Sequence, residues 1–500
     1  MDSQATDLRE RPCAAGPDAP RAIIDVGSNT VRLVIYGGPP RAPAVLHNEK
    51  VAARLGKGVA ETGRLSKKAS AAALAALARY RALLDLKGVE RVDLVATAAV
   101  RDAADGPEFL DRVARLGFAP RLLAGEEEAL TSARGVMAAF PGASGVVADL
   151  GGGSLELVEI DGASLRHGVS LPLGTLRLPP LRTGTPQAFL KHIAGMLSGV
   201  DWGAPHGAAL YLVGGSFRSF ARHAMQEVAW PSDDPHAFEL PAQDALPLAR
   251  ALARLPASSV PATPGISAGR LASLPDAAAL LHALVTTLAP GRLVFSSWGL
   301  REGLLFAGDD AVLAEDPLLA GVGAFAEAQR CSPETGRLVA EWTAAATATV
   351  TAAPDERLRR AATMLALASA MVEPNLRADL AVDWAMRKRW IGIDSRGRAM
   401  LAAALVANAG RLDLPKAWRA FAPAPDLAAA QGWGLAARLC RRFSGSAPAA
   451  LRQSSLTASD GTLRLRASGA CAALVNEGVE RDLKALAGAL GLGWACAADR

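Results

Sequence analysis

Two stretches of the chain repeat one pattern of apolar and polar positions. In Arg21-Ala-Ile-Ile-Asp25-Val-Gly27-Ser28-Asn29-Thr30-Val-Arg32-Leu-Val-Ile-Tyr36 an apolar run ends on a carboxylate, breaks at a glycine turn and resumes. Gly145-Val-Val-Ala-Asp149-Leu-Gly151-Gly152-Gly153-Ser154-Leu-Glu156-Leu-Val-Glu-Ile160 does the same with three successive glycines. Each predicts strand, tight turn, strand. Superposing Asp25 on Asp149, 124 residues further on, lays Gly27 on Gly151.

Between and beyond these units the pattern alternates strand with helix. Ser66 to Leu86 is Ala- and Leu-rich with Ser66 placed as a cap, and predicts a helix. Val92 to Thr97 predicts a buried strand that delivers Arg101 beyond its carboxyl end, and Glu108 to Leu116 predicts another helix. Arg121 to Ala124 predicts a short strand, followed by a helix from Gly125 to about Ala139. Asp161-Gly162 is a hairpin signal. Ala209 to Val213 runs into a third glycine turn, Gly214-Gly215-Ser216, with a helix over 219–228, and Leu293 to Ser297 adds a last strand before Gly299-Leu-Arg301-Glu302. From Asp316-Pro317 the pattern changes to long Ala/Leu/Arg helices (318–330, 334–352, 355–371, 396–410, 430–443). A Thr462–Leu474 strand pair and a helix over 479–490 follow.

The expected fold class is therefore α/β: two related halves, each offering an Asp-x-Gly turn to a shared cleft, followed by a mainly helical domain. That is the sequence picture of a duplicated actin-like (RNase H-like, ASKHA) architecture. Expected boundaries are a loose tail over 1–20, the halves over 21–135 and 136–310, and the helical domain over 311–500. Two unrelated glycine turns in ordinary hairpins are the plainer alternative.

Composition narrows the picture. Five hundred residues, half of them hydrophobic, exceed a single core. No apolar run approaches the roughly 18 residues of a membrane span, and the first twenty residues lack the apolar centre of a signal peptide. The five cysteines are scattered and show no Cys-x-x-Cys spacing, which disfavours a disulfide framework or a zinc site and suits a reducing cytoplasm. Residues 311–500 carry 23 Lys+Arg against 18 Asp+Glu, which is the whole net charge of +5. Basic residues crowd the stretch from Arg387, Lys388 and Arg389 to Arg438, Arg441 and Arg442. A solvated helical face and a polyanion-binding surface both fit this crowding.

The candidate chemistry is that of phosphate. Glycine turns let backbone N–H groups gather around an anion, and carboxylates at their edges can hold a divalent metal or a water. Arg101 is a candidate phosphate-binding cation. Glu126, Glu127 and Glu128 suit a helix N-terminus by the macrodipole alone, but one of them turned into the cleft could act as a general base.

Taken in order, the motifs DVGSNTVRLVIY, TAAVRDA, AGEEEA, ADLGGGSLELVEI, VGGSFRSFA and SSWGLREGLL resemble the Ppx/GppA family, over about residues 20–310. That family comprises exopolyphosphatases and guanosine pentaphosphate phosphohydrolases. The resemblance implies metal-dependent removal of a terminal phosphate, with Mg²⁺ or Mn²⁺. It carries the catalytic carboxylate onto Glu128, the second essential glutamate onto Glu156 and the metal-associated aspartate onto Asp149. It makes Gly27, Ser28, Asn29, Thr30, Gly151, Gly152, Gly153, Ser154, Gly214, Gly215, Ser216 and Arg101 phosphate ligands. Inorganic polyphosphate is the expected substrate and guanosine pentaphosphate the alternative. A cytoplasmic homodimer that engages neither nucleic acid nor membrane is implied with them. The segment comparable to the family's HD-like region, from Leu358 to Met371, has no histidine, so no second metal centre is expected there. The family's Arg-x-Asp segment survives as Arg270-Leu-Ala-Ser-Leu-Pro275, and its usual asparagine after TAAVRDA is Asp105. An ATP-dependent kinase or actin-like assembly protein is a further reading of the same fold.

Overall fold

The computed structural model of the chain describes residues 19–162, 164–199, 204 and 206–499, so the expected tail over 1–20 lies almost wholly outside the described residues. The near-continuous apolar runs over 21–26 and 209–213 form central strands, buried at most positions because both of their faces are covered. The first sheet has the order β3-β2-β1-β4-β5, built from β1 (Arg21–Val26), β2 (Val31–Gly37), β3 (Ala44–Val51), β4 (Arg91–Ala96) and β5 (Pro120–Leu122). β1 is antiparallel to β2 and parallel to β4. The helix Lys67–Leu86, capped by the Ser66 side chain, packs Leu77, Tyr80 and Leu84 against Ala22, Ile24 and Val26 on one face.

The second sheet repeats this plan. β6 (Ser144–Leu150), β7 (Leu155–Asp161) and β8 (Ser164–Leu171) form an antiparallel meander, β6 is parallel to β9 (Ala209–Val213), and β11 (Arg292–Phe295) follows beyond it. A short antiparallel β10 (Glu239–Pro241) completes the edge, giving β10-β11-β9-β6-β7-β8. The duplication expected at Asp25 and Asp149 is therefore a duplication of whole sheets, and the architecture is the duplicated actin-like one.

The two halves also exchange helices. The helix Gly125–Ala139 follows the first sheet in sequence but packs Ala129, Ala133 and Val136 against Val147, Val158 and Tyr211 of the second. The helix Leu300–Leu305 follows the second sheet and packs Leu304 against Ile23, Val34 and Val95 of the first. Where these helices cross, a Cβ on Gly135 would lie 2.1 Å from the Gly299 carbonyl oxygen, and one on Gly303 would lie 1.8 Å from that of Thr131. Any side chain at either glycine would push the helices apart. This reciprocal contact joins both halves into one compact unit, up to Phe220 with Glu239–Ala314.

The second unit comprises Ala221–Phe238 with Glu315–Arg500. Helices Pro317–Ala328, Pro333–Thr347, Glu356–Ala368, Arg377–Met386 and Ala424–Ser444 surround Ser395–Asn408, which is buried at every position from Gly397 to Asn408. The Arg377–Met386 helix was not anticipated. The expected Thr462–Leu474 strand pair is corrected: β13 (Thr462–Ser468) pairs backwards with β12 (Ser454–Ser459) through Asp460-Gly461 and forwards with β14 (Gly493–Asp499), while 469–474 is a 3₁₀ turn. The segment Ala221–Phe238, sequentially part of the second half, is tied into this unit by Trp230, whose ring lies 4.8 Å from that of Phe421.

The helix Ala268–Leu288 is long and apolar enough to cross a membrane by length and composition, but its residues from Leu274 to Val285 are mostly buried within the protein.

Candidate functional site

The two glycine turns are built alike. Gly27 N donates to Thr30 O at 3.0 Å, and Gly151 N donates to Ser154 O at the same distance. They face each other closely: a Cβ on Gly152 would lie 3.0 Å from Ser28 Cβ, and one on Gly153 would lie 2.6 Å from Ser28 Oγ. Ser28 and Ser154 are buried, Thr30 is half-buried and Asn29 is exposed. The third turn lies beside the second, because β9 ends at Val213 opposite Asp149 and the helix Gly215–Glu227 starts immediately after Gly214. The three glycine turns and a helix N-terminus are thus brought together, the backbone elements from which an anion site is built.

Asp149 and Glu156 are partners across β6 and β7, so their side chains share one face of the sheet. That face is covered by the Gly125–Ala139 helix, whose Ser132 hydroxyl donates to Asp149 Oδ2 at 2.5 Å. Ser170 on β8 donates to Glu156 Oε1 at 2.9 Å. Four residues before Ser132, on the same helical face, the structure places Glu128, nine-tenths buried. Glu126 and Glu127 are less covered. Arg101, in the short helix Ala98–Arg101 beyond β4, donates through Nη1 to Glu128 Oε2 and to the Leu123 carbonyl, both at 3.0 Å. The candidates Arg101, Glu128, Asp149 and Glu156 therefore come together from both halves, along with the three turns.

Their electrostatics are those of a crowded acidic site. Burial pushes Glu128 up to about 7, against the hydrogen bond and charge of Arg101 and with added repulsion from Asp149 and Asp25. Burial, then the charges of Glu128 and Asp149, hold Glu156 well above the usual carboxylate range. Burial likewise raises Asp149 and Asp25. A carboxylate near 7 can take a proton at neutral pH, which is what a general base needs.

Apart from Arg270, which the sequence marks without a role, several residues of the site are not singled out by it. Arg32 lies opposite Asp25 in the β1–β2 register, where the second half has Glu156 opposite Asp149. Arg301 and Arg32 are the cations that pull the Asp25 carboxyl down against its burial. Burial and the charges of Arg301 and Arg270 lower Arg218 to about 9. Arg270 approaches the third turn so closely that a Cβ on Gly215 would lie 2.4 Å from one of its guanidinium nitrogens. Glu302 is buried, accepting from Tyr36 Oη at 2.7 Å and from Gly299 N at 3.0 Å. Offsetting the duplicated strands would have exposed Arg32, because the alignment of Asp25 on Asp149 carries it onto Glu156. Arg218 and Arg301 lie inside motifs the sequence already marks.

A divalent ion fits this set. Asp149 and Glu156 offer only oxygen donors from adjacent strands, and their carboxylates repel Glu128 and one another. Among the described residues no group of three or more His, Cys, Asp or Glu is arranged to cage a metal. One or two carboxylates completed by water and substrate phosphate are the usual Mg²⁺ environment. Asp149 and Glu156 are the residues that would hold it.

The basic residues of the helical unit sit differently. Arg389 forks Asp234, at 2.6 and 2.8 Å. Arg438 and Arg442 share Asp482, and Arg387 pairs with Asp383 at 3.4 Å. The Lys388 ammonium lies 4.8 Å from the Trp390 ring centroid. Arg441 is half-buried. Most of the expected polyanion surface is thus engaged within the unit itself.

The sequence model of the Ppx/GppA phosphatase family matches residues 34–310. Over 126 residues the chain is 40% identical to exopolyphosphatase 2 of Mycobacterium tuberculosis; this covers 23% of the chain and 40% of that relative's length. Among solved structures, the Aquifex aeolicus member of the Ppx/GppA family is 26% identical, with a TM-score of 0.52, over 60% of this chain and 99% of that one. An exopolyphosphatase from Cytophaga hutchinsonii, 24% identical over 58% of this chain and 98% of its own, shares the fold with a TM-score of 0.52. With the duplicated sheets and their glycine turns, these matches establish that the chain belongs to the Ppx/GppA phosphatase family.

Proposed function

We propose that the protein is an exopolyphosphatase, hydrolysing the terminal phosphate of inorganic polyphosphate and releasing orthophosphate. The observation that carries this reading is Glu128: a buried carboxylate poised near neutrality, bonded to Arg101 and within reach of the charges of Asp149 and Asp25. The turn N–H groups and Arg101 bind and orient the terminal phosphoryl group. Glu128 takes the proton of the attacking water. A Mg²⁺ or Mn²⁺ ion at Asp149 and Glu156 would neutralise charge on the phosphoryl oxygens. Phosphoryl transfer depends mainly on such positioning and charge stabilisation. The likeness to exopolyphosphatase 2 supports polyphosphate as substrate, and a cytoplasmic dimer is part of the same proposal.

Guanosine pentaphosphate presents the same terminal group to the same turns and is the second reading, favoured by the Ppx/GppA membership itself. Orthophosphate release from polyphosphates of graded length and from guanosine pentaphosphate, at equal ionic strength and with Mg²⁺, tests the choice. Faster turnover of the nucleotide at equal concentration would overturn the polyphosphate reading.

A further inference from the structure

Arg101 has two carboxylates at hand, and they are held differently. Its Nη1 is already engaged by Glu128 and the Leu123 carbonyl. Asp102, the next residue, brings Oδ1 to 3.8 Å from Arg101 Nε, too far for a hydrogen bond. The other Asp102 oxygen, Oδ2, accepts from Arg177 Nη2. Arg177 comes from the opposite half of the cleft, at the end of the segment 172–177 that follows β8. That segment is fastened to the second glycine turn: Thr175 N donates to Gly151 O at 3.1 Å and Leu176 N to Gly152 O at 2.9 Å. Leu176 also reaches the first half, where a Cβ on Gly56 would lie 3.2 Å from its Cδ1. A cation anchored to the phosphate turn of one half thus grips the carboxylate beside the phosphate-binding arginine of the other.

We infer that Arg177 is a positioning residue: by occupying Asp102 it keeps that carboxylate off Arg101, leaving the Nε edge of the guanidinium to the terminal phosphate. Closing the present 3.8 Å gap to hydrogen-bond length takes only about 1 Å of side-chain movement. A carboxylate forked onto that edge would compete directly with phosphate, since both groups match the same pair of donors. Phosphate would then have to displace Asp102 before it could bind. The plainer alternative is an ordinary rim ion pair between side chains 26% and 35% exposed, which would contribute little. The inference rests on Arg101 as a phosphate ligand.

Suppression separates these alternatives. Arg177→Gln should weaken tripolyphosphate binding to the full-length protein, measured by calorimetry, by about tenfold, and should raise KM with kcat nearly kept. Asp102→Asn alone should bind at least as tightly as the native protein. Combining the two should restore native affinity, because the competitor is gone. Arg177→Lys, which keeps the charge, should stay near native and guards against misfolding of the glutamine variant. Native affinity in Arg177→Gln would overturn the inference, and so would a double variant that remains weak, since Arg177 would then act as a strut or contact phosphate itself. Binding and turnover fail separately. A native protein that binds tripolyphosphate with this suppression pattern but releases no orthophosphate sinks only the proposed activity. One that hydrolyses polyphosphate without suppression sinks only the role of Arg177.

Discussion

The protein carries two dense sets of charge, and they are tuned in opposite directions. In the cleft, burial leaves Asp25, Glu128, Asp149 and Glu156 above the usual carboxylate range despite the arginines around them. In the helical unit Asp234, Asp316 and Asp355 sit below it. At Asp234 burial pulls upward, but the two hydrogen bonds and the charge of Arg389 outweigh it. At Asp316 burial is likewise outweighed by Arg357, and Asp355 is lowered chiefly by the fork from Arg396. Ion pairs that outweigh burial hold a fold together, whereas acids whose partners do not offset their burial, such as Glu128 beside Arg101, remain open to a further cation or proton. By that criterion the chemistry belongs to the cleft, and the basic crowding between Arg387 and Arg442 is mostly structural.

Substitutions can break this contrast, beginning with the largest effect. Glu128→Gln keeps the shape and removes the base, so kcat for orthophosphate release should fall by about 10²–10⁴-fold with tripolyphosphate binding mostly kept. Turnover within a few-fold of native would remove Glu128 from the mechanism. Glu156→Ala should lower kcat by roughly 10²–10³-fold and raise the Mg²⁺ needed for half-maximal rate, as losing charge stabilisation at the phosphoryl group requires. An unchanged Mg²⁺ dependence would instead make Glu156 a packing residue. In the helical unit the consequence should be the reverse. Asp234→Ala strips Arg389 of its fork and removes the carboxylate 4.0 Å from the buried Arg398, leaving Asp394 as the remaining acid whose charge reaches that guanidinium. It should cost roughly 2–3 kcal/mol, read as a lower unfolding midpoint, with the half-exposed Arg389 moderating the loss. The kcat should not change, and a catalytic defect without loss of stability would erase the distinction between the regions.

Much of the site was legible because its local geometry needs particular residues. Gly27 and Gly151 close the same turn, so the duplication shows as the same letters at a fixed offset. Helix chemistry alone leaves Glu126, Glu127 and Glu128 equivalent, since all three suit a helix start, and it is the family resemblance in the sequence that singles out Glu128. Arg32, Arg270 and Ser132 acquire their roles from contacts distant in sequence, and neither the helix exchange at Gly135 and Gly303 nor the placement of 221–238 in the helical unit leaves a local periodicity. The β12–β13 hairpin was available in principle: Asp460-Gly461 lies between two alternating runs, and both residues adopt positive φ.

The mildest test of the contrast is pH, where the two sets should pull stability in opposite directions. A carboxylate raised in the folded state stabilises fully below its unfolded value of about 4 and loses that contribution as pH climbs through its folded value. Glu128 therefore withdraws its contribution as pH rises towards about 7, with Asp25, Asp149 and Glu156 adding to the same trend. The lowered acids Asp234, Asp316 and Asp355 contribute above about pH 4 and lose their contribution as pH falls through their folded values. Without metal, the unfolding midpoint of the cleft unit should thus decline between pH 5 and pH 8, while that of the helical unit should decline only towards pH 3. Added Mg²⁺ should flatten the first decline, because a bound cation favours the ionised carboxylates. The rate should show the same group from the other side: kcat should rise through about pH 7 as Glu128 ionises, and Glu128→Gln should abolish that limb. A cleft unit that gains stability from pH 5 to pH 8 without metal would mean that its partners outweigh burial after all, and would leave the two regions electrostatically alike.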